Sequence, residues 1–226
     1  MFKYILLFLS VFFLEAEEIA IATIVAGNDY EKLVQQGTKT KIEYAKKQKY
    51  KLVIQKSVLD PSRPIPWSKI LLIANILEDS KVDWVFWTDA DSLIMNYEKR
   101  LEDFLDDRYD LILSQDFNGI NTGQFFIKNS TWSKQFLRDV YSHKDLIHHP
   151  NWEQSAIIRE YNQNEKVRLK TKICSQNDFN SYPLSFISMT NLGIYNFGDF
   201  LIHFPSIRGE NLKNEMGSYF KIRITK

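Results

Sequence analysis

The chain has 226 residues and 44% apolar content, enough to bury one core of ordinary size, so a single domain is expected. Its 29 basic and 28 acidic residues leave a net charge of +1, which removes any whole-chain argument for nucleic-acid binding. The lone cysteine, Cys174, excludes an intramolecular disulfide framework and a cysteine zinc cluster, and reads as a buried structural thiol.

At the start, Lys3 precedes an apolar run from Tyr4 to Leu14. The run is shorter than the roughly 20 residues that span a bilayer. Its shape is that of a signal peptide, with a basic start, a short apolar core and Ala16 before a cleavage point; Leu14 and Glu15 fit that site imperfectly. A short membrane anchor through residues 4–14 and a buried first strand are the alternatives. The expected division is 1–16 as signal peptide or anchor and 17–226 as one domain. Ile19 to Val25 then reads as a strand whose small residues let a ligand approach, and Gly27-Asn28-Asp29 turns the chain.

Asp29 to Gln48 has helical composition, with Leu33, Val34, Gly37, Tyr44 and Ala45 near one face and lysines forming a solvated one. Tyr50 to Ile54 is a strand, and Pro61 to Pro66 a stiff loop. The next helix opens at Trp67-Ser68-Lys69 and carries an apolar stripe of Trp67, Ile70, Leu71, Ala74 and Leu77. Lys69 lies off the stripe, where it either reaches a phosphate or ribose or is ordinary surface.

Trp84 to Trp87 is apolar without alternation, which reads as a strand buried on both faces. It runs into Asp89-Ala90-Asp91. Open α/β sheets bind ligands in the crevice beyond such strand ends. Two close carboxylates repel each other unless a cation lies between them, and Mg²⁺ and Mn²⁺ prefer oxygen ligands. The pair therefore reads as a clamp for a divalent metal against a nucleotide diphosphate, or as a solvated turn.

Asp110 to Gln115 is another strand, followed by Asp116, Asn118 and Gly119. Asn121-Thr122-Gly123 is expected to be a polar loop before the buried strand Phe125-Phe126-Ile127, either binding a sugar or forming a β-turn. Asn129 to Val140 is a helix with Ser130 as N-cap. His143, His148 and His149 lack metal-site spacing and read as surface residues. Trp152-Glu153-Gln154 starts a helix, Val167 to Lys170 alternates like a strand, and Phe179 to Pro183 is a turn. Phe200 to Pro205 is a last strand carrying His203, either a third metal ligand or a satisfied core histidine. Arg208 follows, and Lys221, Arg223 and Lys226 read as a fraying basic tail.

Strands alternating with helices argue for an α/β sheet. In this frame, Trp67-Ser68-Lys69, Trp87-Thr88-Asp89-Ala90-Asp91, Ser114-Gln115-Asp116 with Asn118 to Gly123, Trp152 to Ala156, and His203-Phe204 resemble the galactosyl/mannosyl/xylosyl transferase family in order and spacing. The resemblance covers roughly residues 19 to 208. It implies a GT-A fold, a Rossmann-like mixed sheet flanked by helices. It also implies Mn²⁺ or Mg²⁺, a nucleotide-diphosphate sugar (a UDP-sugar ahead of a GDP-sugar), a glycan or other hydroxyl acceptor, and retention at the anomeric carbon.

Carried over by position, Asp89, Asp91 and His203 are the metal ligands. Gln154, Asp89 and Arg208 are the catalytic set. Thr23, Val25, Lys69, Asp89, Ala90 and Arg208 form the nucleotide edge, and Lys69, Asp116, Asn121, Thr122, Gly123 and Glu153 the sugar side. Arg208 stands where plant members carry Lys, and Trp152-Glu153 replaces an acidic pair. A secretory, periplasmic or membrane-associated location and a homo- or hetero-oligomer are compatible, with a cytoplasmic location still open. Two other functions compete. A phosphoryl or nucleotidyl transferase would want a phosphate-cradling Gly-rich loop, absent among only 8 glycines. A non-catalytic sugar-binding or complex-stabilising subunit would not need intact Asp89, Asp91 and His203.

Overall fold

Trp84 to Thr88 is buried at every position, as its unbroken apolar run requires, and it lies inside a six-stranded sheet. The computed structural model describes residues 17–190 and 192–224. The signal peptide or anchor expected over residues 1–16, and Lys226, lie outside the described residues. No helix among the described residues is long and apolar enough to cross a membrane.

The strands in chain order are β1 (Ile19–Ile24), β2 (Lys51–Gln55), β3 (Trp84–Thr88), β4 (Ser92–Ile94), β5 (Leu111–Asp116), β6 (Gly119–Lys128), β7 (Thr171–Cys174) and β8 (Leu201–His203). The helices are α1 (Asn28–Leu33), α2 (Gln35–Gln48), α3 (Ser68–Ile76), α4 (Thr131–Ser142), α5 (Trp152–Gln163), α6 (Glu165–Leu169), α7 (Gln176–Phe179) and α8 (Gly209–Phe220). The large sheet runs β2-β1-β3-β6-β5-β7, and β4 pairs with β8 in a second, two-stranded sheet. β1 is parallel to β2 and β3, β6 is antiparallel to β3 and β5, and β7 is parallel to β5.

Alternation along the strands supplies two cores. Ala20, Ala22, Val85, Trp87, Leu113 and Phe125 face one way, with Ile70, Ile73, Phe136, Leu137 and Ile157 from α3, α4 and α5 in the same cluster. Ile19, Ile21, Phe86, Ile112 and Phe126 face the other way, clustering with Tyr44, Ile94, Phe179 and Phe200. There Phe86 stacks on Phe126 with ring centroids 4.5 Å apart. Each such side chain contributes about 1.5–3 kcal/mol on burial.

Three expectations fail for physical reasons. Asn121-Thr122-Gly123 is strand, not loop: a register shift at Leu113/Ser114 lets pairing continue to Asp116↔Gly119, leaving Phe117-Asn118 as the hairpin turn. Val167 to Leu169 is the end of α6, with Lys170 as its C-cap, because the alternation is helical: Val167 is buried while Leu169 is 68% exposed. The strand it suggested begins one residue later, at Thr171. The basic tail is tied down as far as Ile224, whose N donates to Met95 O after α8 has buried Leu212 and Met216.

The expected helix over Asp29 to Gln48 breaks at Val34 into α1 and α2, and its lysines are not all solvated. Lys41 is fully buried, and its Nζ donates to Ser92 O and Ser92 Oγ at 2.9 Å each. One turn away, a Cβ on Gly37 would meet Ala90 O at 2.4 Å and Ser92 O at 2.6 Å, so only glycine lets α2 lie this close to the Asp89–Ser92 turn. Burial pushes the Lys41 ammonium down to about 7, against the attraction of Asp91 and Asp89. An unfolded lysine titrates near 10.4, so between these values the unfolded chain binds the extra proton and stability rises with pH. From pH 7.5 to 9, wild type should gain about 1.4 kcal/mol per pH unit more than Lys41→Met. Urea midpoints measure this, and parallel slopes for the two proteins would refute it.

Candidate functional site

The turn between β3 and β4 is pinned by backbone on both sides. Asp89 N donates to Gly123 O at 2.8 Å, and Phe204 N donates to Asp91 O at 2.9 Å. Ser92 pairs with His203 across the small sheet. These ties converge Asp89, Asp91 and His203, whose ligand-type atoms all lie within 4.8 Å of one another. His203 Nε2 is 3.9 Å from Asp89 Oδ2 and 3.6 Å from Asp91 Oδ1. The other oxygen of Asp89 is held by the protein, taking Trp87 Nε1–H at 2.8 Å, with Lys69 Nζ at 3.4 Å.

Burial works against the charge of Asp91, yet the neighbouring His203, a backbone hydrogen bond and the Arg208 cation hold its carboxyl below the usual range. Two carboxylates and one imidazole face a common point. This oxygen-rich set suits Mn²⁺ or Mg²⁺, and the acids' mutual repulsion is relieved by a cation between them.

Gly123 is the floor of this cluster. A Cβ there would stand 2.3 Å from His203 Cε1 and 2.9 Å from its Nδ1. Gly123→Ala should displace the imidazole, cost about 1–3 kcal/mol of stability through overpacking, and weaken Mn²⁺ binding. Calorimetric Mn²⁺ titration checks it, and an unaltered affinity would show that His203 does not need its present place.

Lys69 is 4% exposed, which rules out the ordinary-surface alternative. Its Nζ donates to Glu153 Oε1 at 2.6 Å and to Thr122 O at 3.0 Å, and lies 5.1 Å from the Trp87 ring centroid. Burial opposes its charge, but Asp89 and Glu153 outweigh that and raise its pKa. Glu153 is 3% exposed, and burial raises its pKa despite Lys69. Its side chain is turned to Lys69. Its neighbour Gln154 is half-buried, with Oε1 accepting from Thr122 N at 3.0 Å and Thr122 Oγ1 at 3.3 Å.

Asn121 Nδ2 donates to Asp116 Oδ2 and to Tyr182 OH, each at 2.9 Å, and its Oδ1 takes Gly123 N–H at 2.8 Å. Tyr182 OH also donates to Asp116. Asp116 and Asn121 thus form one network with Tyr182. Thr23, Val25 and Ala90 are buried, and Thr23 Oγ1 has no hydrogen-bond partner among the described residues. Arg208 is exposed at the N-cap of α8, with its charge acting on Asp91 and Tyr30.

Sequence reasoning missed Tyr182 and Asn180, which fell in a stretch read only as a turn. Asn180 Oδ1 is 2.9 Å from His203 Nδ1, and Asn180 Nδ2 donates to Ser114 Oγ at 3.0 Å. An Asn-Ser-Tyr run has turn chemistry in isolation, and only the bridge of Ser181 to Ile202 brings it to the site.

A family model described as the galactosyl transferase GMA12/MNN10 family matches residues 15–111 and 106–211. An uncharacterized alpha-1,2-galactosyltransferase of Schizosaccharomyces pombe is 26% identical over 181 residues, covering 63% of this chain and 46% of that protein. A probable alpha-1,6-mannosyltransferase of Saccharomyces cerevisiae is 25% identical over 155 residues, covering 52% of this chain and 38% of that protein. The matches thus span less than half the length of these two relatives. Among solved structures, a glycosyltransferase involved in glycosylation of the major capsid of PBCV-1 superposes with a TM-score of 0.71 at 14% identity, covering 88% of this chain and 98% of that one. The fold is the GT-A glycosyltransferase fold.

Proposed function

Because the chain belongs to the galactosyl transferase GMA12/MNN10 family, we propose that it is a metal-dependent, retaining glycosyltransferase. It moves a galactose-, mannose- or xylose-class unit from a nucleotide-diphosphate sugar to a glycan or other hydroxyl acceptor. The observation that carries this reading is the convergence of Asp89, Asp91 and His203 within 4.8 Å at the end of β3. A UDP-sugar is the favoured donor, and a secretory or membrane-associated location is proposed with it.

Asp89, Asp91 and His203 would hold Mn²⁺ or Mg²⁺, which supplies charge neutralisation for a leaving diphosphate. The remaining work falls to the chain. Asp89 is oriented by Trp87 and Lys69, so only its outer oxygen faces the ligand point. Arg208, exposed and electrostatically coupled to Asp91, meets the diphosphate from solvent. Gln154, held by Thr122, stands on the sugar side. Asn121, Thr122 and Gly123 line the strand beneath it. Lys69 acts through Asp89 and Glu153 instead of reaching the donor freely.

A panel of nucleotide-sugars, assayed for hydrolysis and transfer with Mn²⁺ and with chelator, tests the proposal. Metal-dependent turnover of one donor is expected. Turnover that ignores chelator would overturn the metal assignment, and a panel without turnover would favour a non-catalytic role.

A further inference from the structure

We infer that Asn180 is a positioning residue for His203, fixing the imidazole tautomer that turns a lone pair toward Asp89 and Asp91. The inference rests on the metal reading above and adds to it the group that prepares the nitrogen ligand.

Three fully or almost fully buried side chains stand in line: Ser114 at 0%, Asn180 at 0% and His203 at 3% exposure. Asn180 spends its amide nitrogen on Ser114 Oγ at 3.0 Å, which aims its carbonyl oxygen at His203 Nδ1, 2.9 Å away. That oxygen can only accept, so Nδ1 must carry the hydrogen. In the neutral ring, Nε2 is then the unprotonated nitrogen. Nε2 is the atom 3.6 Å from Asp91 and 3.9 Å from Asp89. A metal-binding histidine is commonly oriented in this way by a partner on its other nitrogen.

The backbone reinforces the alignment. His203 N donates to Ser181 O at 2.7 Å, and Asn180 N donates to Gln176 O at 2.8 Å, so neither residue can slide past the other. With the amide turned over, Asn180 would present N–H to Nδ1. The ring would then carry its hydrogen on Nε2, between two carboxylates, where it could not ligate a metal. The Ser114 hydroxyl can accept from or donate to the amide, so the tautomer of His203 itself reads which arrangement holds.

The test needs no turnover. Long-range ¹H–¹⁵N NMR of the metal-free protein reads the tautomer, with His203 assigned among the four histidines through His203→Gln. A hydrogen on Nδ1 is expected in wild type; a hydrogen on Nε2 overturns the inference outright, without recourse to any variant. Mn²⁺ titration by calorimetry then compares wild type with Asn180→Leu and Asn180→Asp. The leucine variant should lose roughly 10- to 100-fold in affinity. The aspartate variant keeps an acceptor toward Nδ1, with Ser114 turning its hydroxyl to donate, and should retain the tautomer and most of the affinity. A folded leucine variant with wild-type affinity and tautomer refutes the positioning role. If the leucine variant does not fold, a changed tautomer in Asn180→Asp refutes it. Wild type that binds no Mn²⁺ but shows Nδ1–H instead removes the metal reading beneath the inference.

Discussion

Asp91→Asn should lower turnover by at least about a hundredfold, on the order of 3 kcal/mol or more of lost transition-state stabilisation, while the fold survives. The substitution is isosteric, and the backbone bond from Phe204 N to Asp91 O does not depend on the side chain. What changes is the charge and one donor atom. The Asn amide can donate to His203 Nε2, 3.6 Å from the present carboxylate oxygen, so it removes one ligand and engages another. Both losses act on metal binding and, through it, on the leaving diphosphate.

Stability should fall only modestly: losing one of two neighbouring carboxylates relieves repulsion, but the lowered pKa of Asp91 means that the fold favours its charge, and Asn forfeits that contribution. The informative comparison is turnover against Mn²⁺ concentration alongside thermal denaturation. Full activity at ordinary Mn²⁺ with Asn at this position would sink the ligand assignment. A large loss of melting temperature would mean that Asp91 acts through folding instead.

The site was legible in the sequence where chemistry is local. Asp89-Ala90-Asp91 after an apolar strand announces itself, because strand burial and strand end are both written within eight residues of Trp84. His203 was legible only as one of two alternatives. Its membership depends on β4, a three-residue strand whose pairing with β8 local pattern does not specify. Lys41 shows the limit most plainly. Among lysines on a helix, the sequence assigns it to the solvated face, and only tertiary packing through Gly37 brings it beneath the Asp89–Ser92 turn. Tyr182 and Asn180 join the site through backbone bridges that sequence separation hides.

The product should retain the donor's anomeric configuration, and Gln154→Ala should lower turnover by roughly ten- to a thousandfold, a loss of about 1.4–4 kcal/mol, with donor binding nearly unchanged. Retention through a covalent intermediate needs a carboxylate free to attack the anomeric carbon. Glu153 is the carboxylate next to Gln154, but it is 3% exposed and joined to Lys69 at 2.6 Å. Burial raises its pKa, which makes it a poorer anion still. Adjacent residues on α5 also diverge by about 100°, so Glu153 and Gln154 do not share a direction.

The front-face route remains. The bond from the anomeric carbon to the diphosphate oxygen breaks, the acceptor oxygen bonds on the same face, and its proton passes to the departing phosphate oxygen. Gln154 is assigned to the intervening oxocarbenium-like charge: its carbonyl oxygen accepts from Thr122 N and Thr122 Oγ1 at 3.0 and 3.3 Å in the free protein and has to turn from Thr122 to face the anomeric carbon. Glu153→Gln keeps an acceptor for Lys69 and should be milder than Gln154→Ala. NMR of the product's anomeric proton, run with both variants, decides the matter. An inverted product, or a dead Glu153→Gln beside a normal Gln154→Ala, would overturn the front-face assignment.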